Sequence, residues 1–422
     1  MPFKIKNTPR RLKQAFSKWS KKESRVGPLI ACNTLGKPVW TPRNYESLSF
    51  EGYMKNIIIY RCVTLVSRGA ASVPWRLLKR NTQITRHPLL QLLHHPNPRQ
   101  GGASFIEMVL SHKLLSGNSY IEAVDGARGQ PFELYALRPD RVRIVPGSGG
   151  VPIGYEYTVN GQSRRIGVDL LNGNSPILHL KTFHPLNDWY GMSPVEAAAC
   201  AVDQHNAVSN HNLAMLQNGG RPSGALKVYS RSGANPPRLT AEQRQNMRDN
   251  LREAYQGATN AGKVLLLEGD VEWKEMGHKL KDMDFVAGKL LSAREICQAY
   301  GVPPMLVGVP GDATFSNYRE SRYHLWEDTV LPLLDHLCDE LNHWLLPKFD
   351  KDLRLECNVD SIPALAPRRE NSWQRIEKSS FLTDEEKRQL LGFPPLAASQ
   401  TQSGPTQSGQ TKESNHAPSN QN

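Results

Sequence analysis

KDMDFVAGKLLSAREICQAYGVPPMLVGVPGDATFSNYRESRYHLWEDTVLPLLDHLCDELNHWLL, residues 281–346, is the stretch whose reading organises the chain. In its first arm Met283, Val286, Leu290, Ala293, Cys297 and Tyr300 recur at three- and four-residue steps, which places them on one face of an amphipathic helix. Residues 301–312 follow, where three prolines and three glycines exclude a helix although the residues between them are apolar. Asn317 with Glu320 three residues later predicts a capping-box start. Trp326, Val330, Leu333, Leu337, Leu341 and Trp344 then carry a second stripe along a helix of about 30 residues, roughly 45 Å. Pro332 should kink it. On the residues alone the apolar break reads as a lid or a buried hinge.

The chain has 422 residues, enough for two or more cores. A mean hydropathy of −0.51 and the lack of any 18-residue apolar run predict no membrane partner. The N-terminus has no apolar secretion core, so the chain is expected to stay in the cytoplasm where it is made. Net charge is +12, of which +8 falls in the first 25 residues, where nine Lys/Arg face Glu23 alone. This N-terminal arm reads as a solvated tail or as a binding element for an acidic partner. Cys32, Cys62, Cys200, Cys297, Cys338 and Cys357 lie far apart without a CxxC pair, which argues against a zinc cage or a disulfide framework.

Outward from the opening stretch, residues 57–67 fit a helix, and residues 70–78 lead into a short strand after Pro74. His87, His94 and His95 invite a metal reading, but no carboxylate or cysteine stands near them at ligand spacing and prolines mark a turn. Ser104 is expected to cap a helix ending near Ser116. Short β-rich runs at 120–124, 134–137, 142–145, 155–159 and 177–180, separated by turn dipeptides such as Asn160-Gly161, predict an antiparallel meander leaning on the preceding helices. Ser193, Pro194 and Glu196 form a strong helix start, and the helix to about Asn218 is polar on several faces, which suits a position among neighbours and water. Residues 222–279 make a small inserted unit: strands at 225–229, 263–267 and 271–276 and a charged helix from Thr240 bearing Glu242, Arg244, Arg248 and Arg252. A strand at 353–359 could rejoin the earlier sheet, two short helices follow at 367–378 and 383–391, and residues 397–422 are a Ser/Gln/Asn/Thr/Gly/Pro tract expected to be disordered.

No P-loop, GxSxG elbow, HExxH or GxGxxG with an acidic partner is present. The reading is of a non-enzyme, with no catalytic, cofactor or metal residues; an intracellular enzyme with a lid at 301–316 is the alternative. A membrane-associated channel with its basic arm on anionic lipid is a weaker third reading.

The order of segments resembles the portal proteins of tailed double-stranded-DNA bacteriophages, in the long-tailed, lambda-like branch. The landmarks are His87-Pro88-Leu89 through Pro96-Asn97-Pro98, Gly117-Asn118-Ser119-Tyr120, Leu137-Arg138-Pro139-Asp140, Ile177-Leu178-His179-Leu180, Tyr190-Gly191-Met192-Ser193-Pro194, Asn260-Ala261-Gly262-Lys263-Val264-Leu265, Asp284-Phe285, Tyr300-Gly301-Val302-Pro303-Pro304, Phe315-Ser316-Asn317 and Thr329-Val330-Leu331-Pro332. Tyr318-Arg319-Glu320-Ser321 departs from the Glu-Gln that relatives often carry there. The resemblance implies an α+β portal fold and a ring, usually a dodecamer, at a capsid vertex of the virion, assembled in the host cytoplasm. Residues 1–50 would be the arm and lead-in, 51–192 the wing, 193–218 the first stem helix and 219–280 the clip. Residues 281–300 would be the second stem helix, 301–316 the tunnel loop, 317–346 a long wing helix, 347–366 a strand returning to the wing, 367–396 a helical crown and 397–422 the tail. It further implies that Pro303, Pro304, Met305, Leu306, Val307, Gly308, Val309, Pro310 and Gly311 face double-stranded DNA, and that Ser193, Glu196, Asp284, Lys289 and Arg294 belong to the stem. Arg244, Arg248 and Arg252 would meet the terminase large subunit and then the head-tail adaptor, and the major capsid or scaffold protein is a further implied partner.

Overall fold

The computed structural model describes residues 41–42, 44–80, 82–126, 129–147, 151–169, 174–217, 224–228, 240–243, 245–247, 249, 271–275, 285–311 and 314–391. The basic arm, residues 263–267, Met283, Asp284, the side chains of Arg244, Arg248 and Arg252, and the C-terminal tract lie outside the described residues. Helix α1 (Tyr45–Leu48) is capped by Asn44 and continues through a π-helical turn (Ser49–Met54), so regular structure begins ahead of Tyr53. Asn56 then accepts from the backbone of Ile58 and Ile59 and starts α2 (Ile57–Ala71), whose Ile58, Ile59, Cys62, Val63, Val66 and Ala70 are buried at helical spacing.

β1 (Trp75–Lys79) pairs with β2 (Thr82–Ile84). His87 Nδ1 accepts from Leu89 N at 3.1 Å and caps α3 (Pro88–His94), a structural use for one of the three clustered histidines. Helix α4 (Gly102–Ser116) begins before the expected Ser104, because Phe105 N bonds the Gly101 carbonyl at 3.0 Å and closes the first turn early. β3 (Asn118–Asp125), β4 (Pro131–Leu137), β5 (Val142–Pro146), β6 (Pro152–Val159), β7 (Gln162–Gly167) and β8 (Ile177–Lys181) follow.

These six strands do not make the single meander expected. They form two antiparallel three-stranded sheets, ordered β4-β3-β8 and β5-β6-β7. β3 takes the centre of the first because six successive residues from Asn118 are buried, so it packs on both faces. Tyr120, Leu137, Val142, Ile144, Tyr155, Ile166 and Ile177 fill a core shared by the two sheets, and Arg164 ties them together by an ion pair with the largely buried Glu122 at 2.7 Å.

Ser193 Oγ accepts from Glu196 N at 3.0 Å and starts α5 (Pro194–Ala197). Ala198 interrupts what the sequence reads as one helix, and α6 (Ala199–Gln217) continues from it. β9 (Gly224–Val228) and β10 (Val271–Glu275) form an antiparallel ladder. Between them Thr240 caps a helical segment, as expected, and its reciprocal partner is Gln243, with side-chain to backbone bonds of 3.0 and 3.2 Å.

α7 (Phe285–Ala299) packs along α6. Its inner face is Ala293, Ile296 and Cys297, joined by Ser292, whereas Val286 is exposed; the apolar stripe predicted from the sequence holds from Leu290, half-buried against the core, through Tyr300. The long helix beyond the break starts at Phe315, with Thr314 rather than Asn317 as cap: Thr314 Oγ1 accepts from Asn317 N. It runs as α8 (Phe315–His324), a π-helical stretch (Leu325–Val330) and α9 (Leu331–Trp344). β11 (Leu353–Cys357) returns to pair antiparallel with β1, completing the sheet β11-β1-β2. α10 (Ala366–Glu377) and α11 (Asp384–Leu390) close the described chain, the latter with the expected capping box of Thr383 and Glu386. The main core is built by α2, α4, α7, α9, β1 and β11, an α+β arrangement.

Candidate functional site

The apolar break is an ordered, folded connection seated in the main core. Helix α7 ends in a two-bond closure: Gly301 N bonds the Gln298 carbonyl at 3.0 Å and Val302 N bonds the Cys297 carbonyl at 2.9 Å. This motif needs a left-handed residue at its turn, supplied by Gly301 at φ +64. The accompanying apolar contact is present, since Val302 and Cys297 are both buried. Pro303 then leads into one 3-10 turn (Pro304–Val307), where a helix had been excluded. A 3-10 turn tolerates Pro304 because a proline at the first position gives up no internal bond. The turn closes in the same way as α7: Gly308, at φ +86, donates to Met305, and Val309 N bonds the Pro304 carbonyl at 3.1 Å.

Three side chains fasten this connection to its surroundings. Thr329 Oγ1, in the π-helical stretch, donates to the Gly301 carbonyl at 2.6 Å. Arg294 Nη2 on α7 donates to the Pro310 carbonyl at 3.0 Å, and Ser321 Oγ on α8 reaches Met305 Sδ at 2.9 Å.

Burial divides the nine loop residues read as DNA-facing. Leu306 and Val309 are buried in the protein's own core, so the apolar character of the break is explained first by packing; these two side chains present no open face. Pro303, Pro304, Met305 and Val307 are half-buried, and Gly308, Pro310 and Gly311 are exposed. A cavity of about 160 Å³ touches the loop through Leu306, whereas cavities of about 850 and 530 Å³ lie around Phe132 and share no lining residue with it. Among the described residues no group of three or more His, Cys, Asp or Glu side chains is placed to hold a metal ion.

Of the residues read as stem, Ser193 is a buried cap and Glu196 supplies the amide it binds. Lys289 is half-buried on α7 and Arg294 holds the loop, while Asp284 lies outside the described residues. His205 on α6 is held below the usual imidazole range by burial and by the Lys289 cation. The sequence reading missed two asparagine hubs. Asn56 Nδ2 contacts His205 Nδ1 at 3.2 Å and Asn206 Oδ1 at 3.1 Å, and Asn206 in turn donates to the Glu51 carbonyl, which fixes α6 to the start of α2. Asn118 Oδ1 accepts from Gly191 N at 2.7 Å and contacts His179 Nε2 at 3.0 Å, while its Nδ2 donates to the Ser116 and Gly191 carbonyls. With Gly191 N already donating to that oxygen, His179 Nε2 must carry a proton. The buried polar pairs that anchor α5 and α6 thus come from residues remote in sequence, and only the side-chain type hinted at them.

A family model described as phage portal protein matches residues 58–392. A protein of Rickettsia bellii (strain RML369-C) is 41% identical over 351 residues, covering 83% of this chain and 89% of its own length. The portal protein of Enterobacteria phage HK97 is 24% identical over 386 residues, covering 88% of this chain and 85% of its own. Among solved structures, the neck of an empty gene transfer agent (GTA) particle computed with C6 symmetry matches at TM-score 0.67 and 44% identity, over 86% of this chain and 96% of that one. The neck of the native particle, computed with C12 symmetry, matches at TM-score 0.64 and 43% identity over the same shares.

Proposed function

We propose, since this chain belongs to the phage portal protein family, that twelve copies of it close into a ring at the neck of a phage-like particle and that double-stranded DNA passes along the ring axis during packaging and ejection. The observation that carries this reading is the likeness, at 43% identity over 86% of this chain, to the neck of a native GTA particle computed with C12 symmetry. The higher identity to GTA necks than to the phage HK97 portal protein favours a gene-transfer-type particle over a phage virion.

In this reading α2 to β8, with the long helix α8–α9 and β11, form the wing, α5–α6 and α7 the stem, β9 and β10 with the helical segment between them the clip, and α10–α11 the crown. The clip, through Arg244, Arg248 and Arg252, docks the terminase large subunit and later the head-tail adaptor; the wing meets the capsid or scaffold protein. Leu213 and Leu216 on α6 and Val286 and Leu291 on α7 support a packed assembly, because each is more than half exposed on one protomer. A second copy would cover them.

The exposed part of the loop suits passage rather than grip. Every phosphate neutralised by Lys or Arg adds salt-dependent affinity that must be broken at each step of translocation. Residues 301–317 contain no Lys or Arg, and the neighbouring Arg294 spends an Nη2 donor on the Pro310 carbonyl. The α7 closure, the 3-10 turn and three side-chain anchors would hold Gly308, Pro310 and Gly311 as a stiff, low-charge rim.

Negative-stain images viewed down the axis, with native mass spectrometry, test the ring. Twelve chains of 47.3 kDa give about 570 kDa and a central hole. A strictly monomeric species at micromolar concentration overturns the proposal, and Leu216→Asp should shift the population to smaller species.

A further inference from the structure

Cys338 and Cys357 bring their sulfurs to 3.0 Å inside the main core, between α9 and β11. Both are free thiols and both are buried. The meeting follows from two periodicities. On α9, Cys338 and Asn342 are one turn apart on the same face, and on β11, Leu355 and Cys357 point to the same side. Asn342 clamps the Leu355 backbone in both directions, donating to its carbonyl at 2.9 Å and accepting from its amide at 2.8 Å. The helix is thereby held against the strand one step from the two sulfurs. β11 is itself fixed by its ladder to β1, where Cys357 opposes Trp75. Closing the sulfurs to a bond of about 2.05 Å asks for about 1 Å of movement.

We propose that Cys338 and Cys357 are a redox modification site: a dithiol in a reducing compartment that becomes an intramolecular disulfide in oxidising surroundings and locks α9 to β11. The oxidant is a low-molecular-weight disulfide. One protein thiolate attacks it, giving a mixed disulfide and releasing one small thiol. The second protein sulfur then attacks the mixed disulfide and releases the other. Two electrons pass from the cysteine pair to the oxidant, and both protons end on the released thiols. The hydrogen bond to Cys357, burial and the nearby Asp335 and Asp339 carboxylates hold the Cys338 thiol protonated, which keeps the dithiol inert until the end of β11 opens. Closure is therefore slow, on the scale of minutes to hours.

The test incubates the full chain natively with glutathione disulfide or with a reductant. It then quenches in acid, alkylates under denaturing conditions and maps peptides without reduction. The expected result is a linked Cys338–Cys357 peptide in the oxidised sample and its absence in the reduced one, with a thermal midpoint higher by about 5 °C in the oxidised form. In Cys338→Ala that rise disappears. Recovery of both residues alkylated after native oxidation, or linkage only when urea is present, overturns the proposal; the wild-type map decides even if the variant does not fold.

Discussion

Replacing Gly301 by alanine strikes the closure of α7 and its tether at once. At φ +64, alanine in the left-handed region costs about 1–2 kcal/mol relative to glycine. The narrower unfolded ensemble of alanine offsets about 0.4–1 kcal/mol of that. A Cβ at this position would meet Thr329 Oγ1 at 2.6 Å, so the hydroxyl must leave the Gly301 carbonyl, forfeiting about 1 kcal/mol. The balance is a loss of about 2 kcal/mol local to the loop. Gly308 is the internal comparison: its φ of +86 imposes a similar strain, but a Cβ there meets nothing within 4 Å, leaving a net loss of about 0.8 kcal/mol. Hydrogen exchange followed by mass spectrometry reads this directly, because the amides of Val302 and Val309 close the two turns. Gly301→Ala should speed exchange of the 301–311 peptide by about thirtyfold, and Gly308→Ala by about fourfold. Equal effects of the two substitutions would refute the claim that Thr329 tethers the loop.

Pro310→Lys, at an exposed loop position, should slow DNA passage in low salt and recover at high salt if the rim faces DNA; a salt-independent rate would sink that placement. Acid should destabilise the fold through the buried His112 and the half-buried His179: desolvation lowers His179 to about 3 and His112 to about 4, so the unfolded chain binds more protons below about pH 6.5 and stability falls as pH drops from there toward those values. At pH 5 each contributes a loss of about 2 kcal/mol relative to pH 7.5, measurable as a shift of the urea midpoint, and His179→Gln should remove about half of it. Pro332→Ala should restore ordinary α-helical spacing before α9, withdraw Thr329 from Gly301 and raise loop exchange as Gly301→Ala does; unchanged exchange would separate the π-helical stretch from the loop's stability.

The elements legible in the sequence were those set by short-range chemistry. Asn160-Gly161 predicted a hairpin, and Asn160 at φ +50 and Gly161 at φ +79 form it with Val159 opposite Gln162. The caps at Ser193 and Thr383 are local bonds between neighbours, so spacing alone reveals them. Where two candidate caps stood close together, as at Thr314 and Asn317, the geometry of the incoming loop chose between them. Strand order was illegible because β8 joins β3 rather than the sheet of β5 to β7, a choice made by burial on both faces of β3. The asparagine hubs and the Cys338–Cys357 pair bring together residues that no local rule connects. The loop was the hardest case, since Leu306 and Val309 look the same in sequence whether they line a rim or fill a core.

The π-helical stretch shows why the loop and the long helix have to be considered together. Pro332 has no amide hydrogen and its ring crowds the carbonyl four residues back, so regular α-helical bonding cannot pass through it unchanged. The chain answers with wider spacing before the proline: Leu331 N bonds the Trp326 carbonyl, five residues back. Such a turn places one extra residue into the helix and changes which side chains face inward on its N-terminal side. Thr329 lies within that turn and reaches the Gly301 carbonyl, while Trp326 and Val330 lie close to Gly69 on α2. The helix thus changes its spacing locally ahead of Pro332, and within that turn the Thr329 hydroxyl reaches the carbonyl that follows the end of α7. Through Thr329 the long helix holds the loop at Gly301, as Arg294 of α7 holds it at Pro310.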